Sequence, residues 1–417
     1  MNQAPGENTP TPESLPVEQT QRIRSIDVLR GFALFGVLLM NMQTFAEVFA
    51  VYMNPYAAGE LSTADYVVWS FNHVFADAKF ITIFSMLFGA GVVLMTQRAT
   101  ERTGRSAAVH YRRMAWMMLF GIGHSILIWN GDILFLYGLL GLVAYTMRHW
   151  RPKWQLIAAC ILLLIPAFLL STFDQVPADD LEEMRQIWEP DEAFLTKTRA
   201  AMTGDYWGQL PVRLKGWLDM LGLIVLFGWR VLACMLIGMA FYSWDVFSAK
   251  RSARTYVSMM LIGFGMGLPL AAWGIYDHEQ CNWEMVRSMG VGSLFNYFGS
   301  LAAAIGWIGL VMLVCQTNAW PHLRSRFAAV GQMALTNYIL QSVICTTIFN
   351  GHGLGWFGSV DRVWQQILVV AIFSFQLWYS AWWLSRFRYG PLEWGWRSLT
   401  YWKLQPFRRT PQDEREG

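Results

Sequence analysis

Asp27-Val28-Leu29-Arg30-Gly31-Phe32-Ala33-Leu34-Phe35-Gly36 opens an apolar stretch that carries Asn41 eleven residues after Arg30. A charged pair and an amide stand where a bilayer penalises them. An arginine at a helix centre costs roughly 2.5–3.5 kcal/mol on insertion scales, and less near the interface. Eleven residues at about 100° each close three turns with about 20° to spare. Arg30 and Asn41 therefore share one stripe of the helix, about 16 Å apart along the axis. Such a stripe must face protein or water rather than lipid.

The rest of the chain has the same character. Of 417 residues, 54% are hydrophobic and only 15% charged, with 22 tryptophans and a mean hydropathy of +0.30. A soluble domain carries about 25% charge. The composition predicts an all-α, polytopic integral membrane protein with one transmembrane body. Its expected limits are 22–400, divided into N-terminal helices at 22–171, an outer loop at 172–216 and C-terminal helices at 217–400. Residues 1–21 are polar and Pro/Thr-rich and read as a disordered tail, not a signal peptide. Residues 401–417 form a second, basic then mixed-charge tail.

About ten stretches are long enough for a hydrocarbon core of about 30 Å. They run near 26–46, 80–97, 114–130, 132–147, 155–171, 217–243, 255–276, 292–315, 327–349 and 363–385. Placing the N-terminus in the cytoplasm puts most of the 32 Lys and Arg on cytoplasmic segments, including those around Arg98, Arg112, Arg151, Arg251, Arg326 and Arg386. Both ends are then cytoplasmic, and a bacterial inner membrane is the expected location. Ser62-Thr63-Ala64-Asp65 starts an expected amphipathic helix in the outer segment 47–78. The acid-rich outer segment from Asp174 to Asp205 reads first as a solvated loop and second as a lid over a site.

Intramembrane polar groups are the candidate functional residues. Asp27 and Arg30, three apart, can pair as an interfacial anchor or hold a guanidinium for an anionic substrate. Asn41 either bonds a neighbouring helix or belongs to that site. Lys79 reads as a snorkelling lysine at the outer end of its helix. His124 can be a proton carrier or a bonded core histidine. Asp132 follows the turn Trp129-Asn130-Gly131, where it can cap the next helix and orient His124. Arg230 needs a buried partner or an aqueous cavity. Asn337 and Gln341, four apart, read mainly as helix–helix hydrogen-bonding groups. Glu393 and Arg397 read as an i,i+4 pair.

Cys160, Cys234, Cys281, Cys315 and Cys345 are scattered, so neither a metal site nor a disulfide framework is expected. No phosphate-loop, dinucleotide, H-E-x-x-H or G-x-S-x-G motif is present. A net charge of +3 gives no pointer to nucleic acid.

These residues resemble the bacterial YeiB family over nearly all of the hydrophobic body. The resemblance rests on Asp27-Val28-Leu29-Arg30-Gly31 with Asn41, on Lys79-Phe80 and Leu87-Phe88-Gly89-Ala90-Gly91, and on Gly123-His124, Trp129, Gly131-Asp132-Ile133-Leu134 and Tyr137. Gly331-Gln332-Met333-Ala334-Leu335-Thr336-Asn337-Tyr338 through Gln341, and Gly390-Pro391-Leu392-Glu393-Trp394, carry it in the C-terminal part. Gln332 stands where the family typically has Arg. More distantly, the Arg30-x10-Asn41 pattern is similar to the transmembrane acyltransferase superfamily. That group includes heparan-α-glucosaminide N-acetyltransferase and bacterial sugar O-acetyltransferases.

The resemblance implies acyl transfer from cytoplasmic acyl-CoA to an extracytoplasmic or lipid-linked acceptor, a saccharide being one option. It leaves a homo-oligomer open. His124, Asp132 and Asn41 would be catalytic. Arg30, Asp27, Lys79, Arg230, Asn337 and Gln341 would bind substrates. The related lysosomal enzyme places its histidine on the segment after the first span, where this chain offers His73; His73 is therefore the second choice to His124. The competing expectation is a transporter of an anionic or amphipathic solute, with Arg30, Lys79 and Arg230 as its anion path and His124 as a proton relay.

Overall fold

A computed structural model describes residues 23–104, 106–317 and 319–409. The tail 1–21, the positions Arg22 and Arg105 of the charge pattern, and residues 410–417 of the second tail lie outside the described residues.

The chain is all-helical, with no β-strand among the described residues. It runs α1 (Arg24–Ala46), the single turn α2 (Ala50–Met53), α3 (Thr63–Phe75), α4 (Lys79–Thr103), α5 (Ser106–Leu127), α6 (Leu134–Thr146) and α7 (Pro152–Ser171). Then come α8 (Ala178–Trp188), α9 (Glu192–Thr203), α10 (Tyr206–Ser243), α11 (Ala253–Gln280), the short α12 (Met285–Arg287) and α13 (Ser293–Gln316). The chain ends with α14 (Pro321–Gln332), α15 (Ala334–Phe349), α16 (Arg362–Leu384) and α17 (Pro391–Tyr401).

Six helical segments are long and apolar enough to cross a membrane: Arg24–Ala46, Thr63–Glu101, Pro152–Ser171, Ala253–Gln280, Met285–Gln316 and Arg362–Leu384. A seventh is the pair Tyr206–Gly222 and Phe227–Ser243, bent by 67°. Two more apolar helices, α6 and α15, are shorter. Helices occupy all ten expected positions, but fewer of them meet the length and composition of a straight span. The ninth stretch, 327–349, is two helices rather than one, broken at Met333.

Local chemistry sets several helix starts. Ser62 Oγ accepts from Asp65 N at 3.1 Å and begins α3 at the expected place. Asp191, Asp205, Ser252 and Asp361 cap α9, α10, α11 and α16 in the same way. The acid-rich segment 172–216 is accordingly not a plain solvated loop. Two of its aspartates are spent on caps, and it folds into α8, α9 and the first turns of α10.

The break at Met333 has its cause 60 residues further on. Glu393, at the start of α17, accepts from Leu335 N at 2.7 Å, from Thr336 N at 3.0 Å and from the Thr336 hydroxyl. It supplies the acceptor that the orphan N–H groups of α15 lack. Glu393 therefore does not serve the expected pair with Arg397, whose guanidinium lies over the Tyr389 ring at 4.7 Å. Burial pushes the Glu393 carboxyl up from its ordinary value, against these hydrogen bonds.

The helix α1 runs through the middle of the body, with most of its residues buried, against α14, α4, α15 and α16. Its crossing with α14 is close enough to exclude side chains. A Cβ on Gly331 would lie 1.9 Å from the Asp27 carbonyl oxygen, and one on Gly31 would lie 2.0 Å from that of Phe327. Gly331→Ala is expected to force these helices apart and destabilise the fold by about 1–3 kcal/mol or more, read as a lower unfolding temperature in detergent. Glu393→Ala is expected to remove the α15 cap at a cost of about 1–2 kcal/mol, read in the same assay.

Candidate functional site

The best-defined polar centre is built from α5 and the turn behind it. His124 lies near the end of α5, and the chain reverses through residues 128–133 to begin α6. Asp132 uses its two oxygens differently. Oδ2 accepts from Phe135 N at 2.9 Å, which secures the start of α6. Oδ1 lies 2.9 Å from His124 Nδ1, with both side chains only 1% exposed. Gly121 permits this approach, because a Cβ there would lie 2.6 Å from Asp132 Oδ2.

A carboxylate at Nδ1 favours the tautomer with its proton on Nδ1. That leaves Nε2 as a free lone pair, the nitrogen a general base uses. Nε2 is buried and has no hydrogen-bond partner. Tyr338 of α15 packs on the ring at 5.2 Å, and Trp129 at 6.3 Å. The Trp129 ring rests in turn on Phe45 of α1, 4.1 Å away. Asn41 is one helical turn before Phe45, on the side of α1 that leads to this centre. It does not bond His124, whose Nδ1 is taken by Asp132 and whose Nε2 is unpartnered.

Arg30 sits at the other end of α1. Its Nη1 lies 3.1 Å from Asp27 Oδ1 and donates to the Gly331 carbonyl at 3.3 Å. The guanidinium thus ties α1 to α14 across the close crossing, and it stays 29% exposed. Near this end of α1 is a cavity of about 760 Å³ lined by Arg24, Ser25, Tyr242, Lys250, Gln316 and Arg324 among others. Arg30 does not line it, although Val28 does.

Lys79 and Arg230 form a separate centre with residues the sequence did not single out. Lys79 is fully buried, so it is not a snorkelling lysine. The chain turns sharply at Ala78, which has φ 59°, and tucks Lys79 beneath the end of α3. Its Nζ donates to the His73 carbonyl and to Asn296 Oδ1, both at 2.7 Å. Arg230, also buried, donates to the Tyr297 carbonyl at 2.7 Å, the Ser300 hydroxyl at 2.7 Å and the Thr82 hydroxyl at 3.2 Å. Asp77 and His73 adjoin, 3.3 Å apart. Asp77 stands only two residues before Lys79, a proximity visible in the sequence. Asn296 carried no sequence signal.

Asn337 and Gln341 make the helix–helix contacts. Asn337 Nδ2 donates to Ser380 Oγ at 2.9 Å, and Gln341 Nε2 to Gln376 Oε1 at 2.8 Å. Gln376 Nε2 returns a bond to the Asn337 carbonyl at 2.8 Å. This closed ladder joins α15 to α16. Among the described residues no group of three or more His, Cys, Asp or Glu could hold a metal ion.

The predicted site residues therefore fall into four places: Asp27 and Arg30 at one end of α1, His124 and Asp132 beyond its other end, Lys79 and Arg230 between α4, α10 and α13, and Asn337 and Gln341 between α15 and α16. Asn41 points the first group toward the second without touching it.

Residues 241–403 match the family described as "Protein of unknown function (DUF418)". The chain is 30% identical to "Uncharacterized protein YxaH" of Bacillus subtilis (strain 168) over 94% of its own length and 97% of that protein. It is 30% identical to "Uncharacterized protein YeiB" of Escherichia coli (strain K12) over 91% of its length and 96% of the relative. An "Uncharacterized 39.9 kDa protein in amylase 3'region" of Bacillus acidopullulyticus is 27% identical over 93% of the chain and 96% of that protein. With identity of this level running nearly end to end, on an all-helical body rich in apolar spans, the chain belongs to the YeiB-like family.

Proposed function

We propose that the protein is a membrane acyltransferase that moves an acyl group from cytoplasmic acyl-CoA to a hydroxyl or amine on an extracytoplasmic acceptor, lipid-linked or saccharide. The observation that carries this reading is the His124–Asp132 pair, with Nδ1 held at 2.9 Å and Nε2 buried and unpartnered. Buried His110 also leaves one ring nitrogen unpartnered, but it gives its other nitrogen to the Gly141 carbonyl; His124 instead has a carboxylate at Nδ1, the arrangement that leaves a basic lone pair on Nε2. His124 Nε2 takes the acceptor proton as the acceptor atom attacks the thioester carbonyl. The carbon–sulfur bond breaks, and the thiolate leaves and is protonated. Asn41 donates to the developing oxyanion, and Asp132 keeps the ring oriented and stabilises the imidazolium.

The cavity with Arg24, Lys250 and Arg324 suits the nucleotide phosphates, and Arg30, partly exposed, guides the acyl arm inward along α1. In this reading residues 22–400 form one body of about ten spans in a bacterial inner membrane, both ends in the cytoplasm. The apolar face of that body meets lipid.

A second reading is supported by interrupted helices. Between α12 and α13 the backbone leaves the helical region at Gly290 (ψ −116°), and the α10 pair bends by 67°. Such breaks accompany midplane sites in transporters. In that case Arg30, Lys79 and Arg230 conduct an anionic or amphipathic solute, and His124 relays a proton.

Two experiments separate these readings. In detergent, isothermal titration with acetyl-CoA is expected to show saturable binding, weakened about tenfold by Arg30→Ala through loss of a charged contact. Absence of binding for both acetyl- and long-chain CoA to folded protein favours the transporter. Thioester turnover is expected to fall about 10²–10⁴-fold in His124→Ala, and by a comparable factor in Asp132→Asn, whose amide can serve Phe135 N only by turning its NH2 toward Nδ1 and favouring the wrong tautomer. A fully active His124→Ala protein removes this residue from the mechanism.

A further inference from the structure

The Lys79 centre contains an unbalanced charge. Lys79 is 0% exposed and Arg230 8% exposed, and the carboxylate of the centre is Asp77, 9% exposed. The three are organised by two helices. On α4, Lys79 and Thr82 stand one turn apart; Thr82 accepts from Arg230. On α13, Asn296, Tyr297 and Ser300 repeat that spacing: Asn296 binds Lys79, and the other two bind Arg230. The two cations are thus held side by side by the same pair of helix turns.

Every hydrogen-bond acceptor that holds them is neutral. Asn296 stands between the opposite charges, accepting from Lys79 through Oδ1 and donating to Asp77 Oδ2 at 2.6 Å through Nδ2. Asp77 is further occupied by the Tyr52 hydroxyl and by His73 Nδ1. It is committed to its own partners and touches neither cation directly. Two buried basic side chains stand against one buried carboxylate, an excess that a low-dielectric setting disfavours when both are ionised. His73 adds a second observation: its Nε2 is buried without a partner.

An aromatic cluster adjoins the centre at His73. The His73 ring stacks on Trp69 at 5.1 Å, and Trp69 meets Trp283 at 5.4 Å. Trp188, at the end of α8, covers this pair and donates its Nε1 to the Trp283 carbonyl at 2.9 Å. Asn54 holds the Trp188 carbonyl at 3.2 Å. The segment 172–216 thus adds Trp188 to the aromatic cluster beside His73. Glu279 belongs to the rim, where it accepts from Trp283 Nε1 at 3.0 Å and from the Tyr56 hydroxyl at 3.4 Å.

We propose that this centre is a binding site for a small organic monocarboxylate, its carboxylate drawn between Lys79 and Arg230 and its apolar body toward Trp69 and Trp283. One negative charge balances the site, whereas a phosphate dianion would overfill it. A carboxylate also matches the planar donors of a guanidinium. His73 Nε2 then faces the ligand rather than remaining unused. The assignment is independent of acyl transfer by His124 and holds under either reading of function.

The test is equilibrium binding of radiolabelled benzoate to the full-length protein in detergent, with folding checked by circular dichroism. Saturable binding displaced by acetate ahead of inorganic phosphate is expected. Lys79→Met and Arg230→Met should each weaken it by about tenfold or more, as removal of one buried charge partner does. Asp77→Asn should tighten it, because the site becomes more positive. Should the methionine variants fail to fold, Arg230→Lys keeps the charge and loses the planar fork, and is expected to weaken binding several-fold. Folded wild-type protein without saturable binding overturns the proposal. So does wild-type affinity in the Lys79 and Arg230 variants, or displacement by phosphate ahead of acetate.

Discussion

Burying an ion in apolar surroundings costs several kcal/mol unless other groups compensate it. This constraint decides how the helices of the protein meet. The polar side chains inside the body are where one helix recognises the next. Arg30 reaches from its own helix to the Gly331 carbonyl on α14. Arg230 on α10 gathers Thr82 from α4 and Ser300 from α13. Gln376 and Gln341 lock α16 to α15. Apolar packing between helices in a lipid setting has little directional preference, because lipid tails are as apolar as leucine. The polar contacts supply the register that the apolar ones cannot.

Two of these centres share one device. Asp132 holds His124 Nδ1, and Asp77 holds His73 Nδ1; in both rings Nε2 is buried without a partner. Their surroundings differ. The His124 centre is aromatic, walled by Trp129 and Tyr338, and its carboxylate also anchors a helix start. The His73 centre carries lysine and arginine. The first surrounding suits proton transfer to and from a neutral acceptor, and the second suits holding an anion. The sequence alone ranks the histidines as first and second choices for one role, and the structure places them in different surroundings.

What could be read from the residue order was what depends on local spacing. Composition and apolar stretches gave the all-helical class and the positions of the helices. Three-residue spacing gave the Asp27–Arg30 pair. Ser62 marked the start of α3, and the short turn placed Asp132 within reach of His124. What could not be read depends on distant partners. Lys79 lies at a helix end, where a lysine usually reaches for water; its burial depends on Asn296, 217 residues away. The break at Met333 is set by Glu393, which local spacing assigns to Arg397. The acid-rich segment 172–216 looks solvated because its charges stand out in the composition, while the residue that docks it, Trp188, is one of five aromatic residues scattered among them. The lengths of α6 and α15 were hidden for a related reason: apolar content reports burial, and these two apolar helices are packed among neighbours without being long.

The Glu393 contact also imposes an order in time. The first turn of α15 has its N–H groups satisfied by a carboxylate that follows it by 58 residues in the chain. During synthesis α15 leaves the ribosome well before its cap exists. It must wait, with exposed donors at its leading end, while α16 is made and turned back. Only when α17 emerges can α15 close against it. The amphipathic helix α17 is thus a late-arriving keystone for the start of α15.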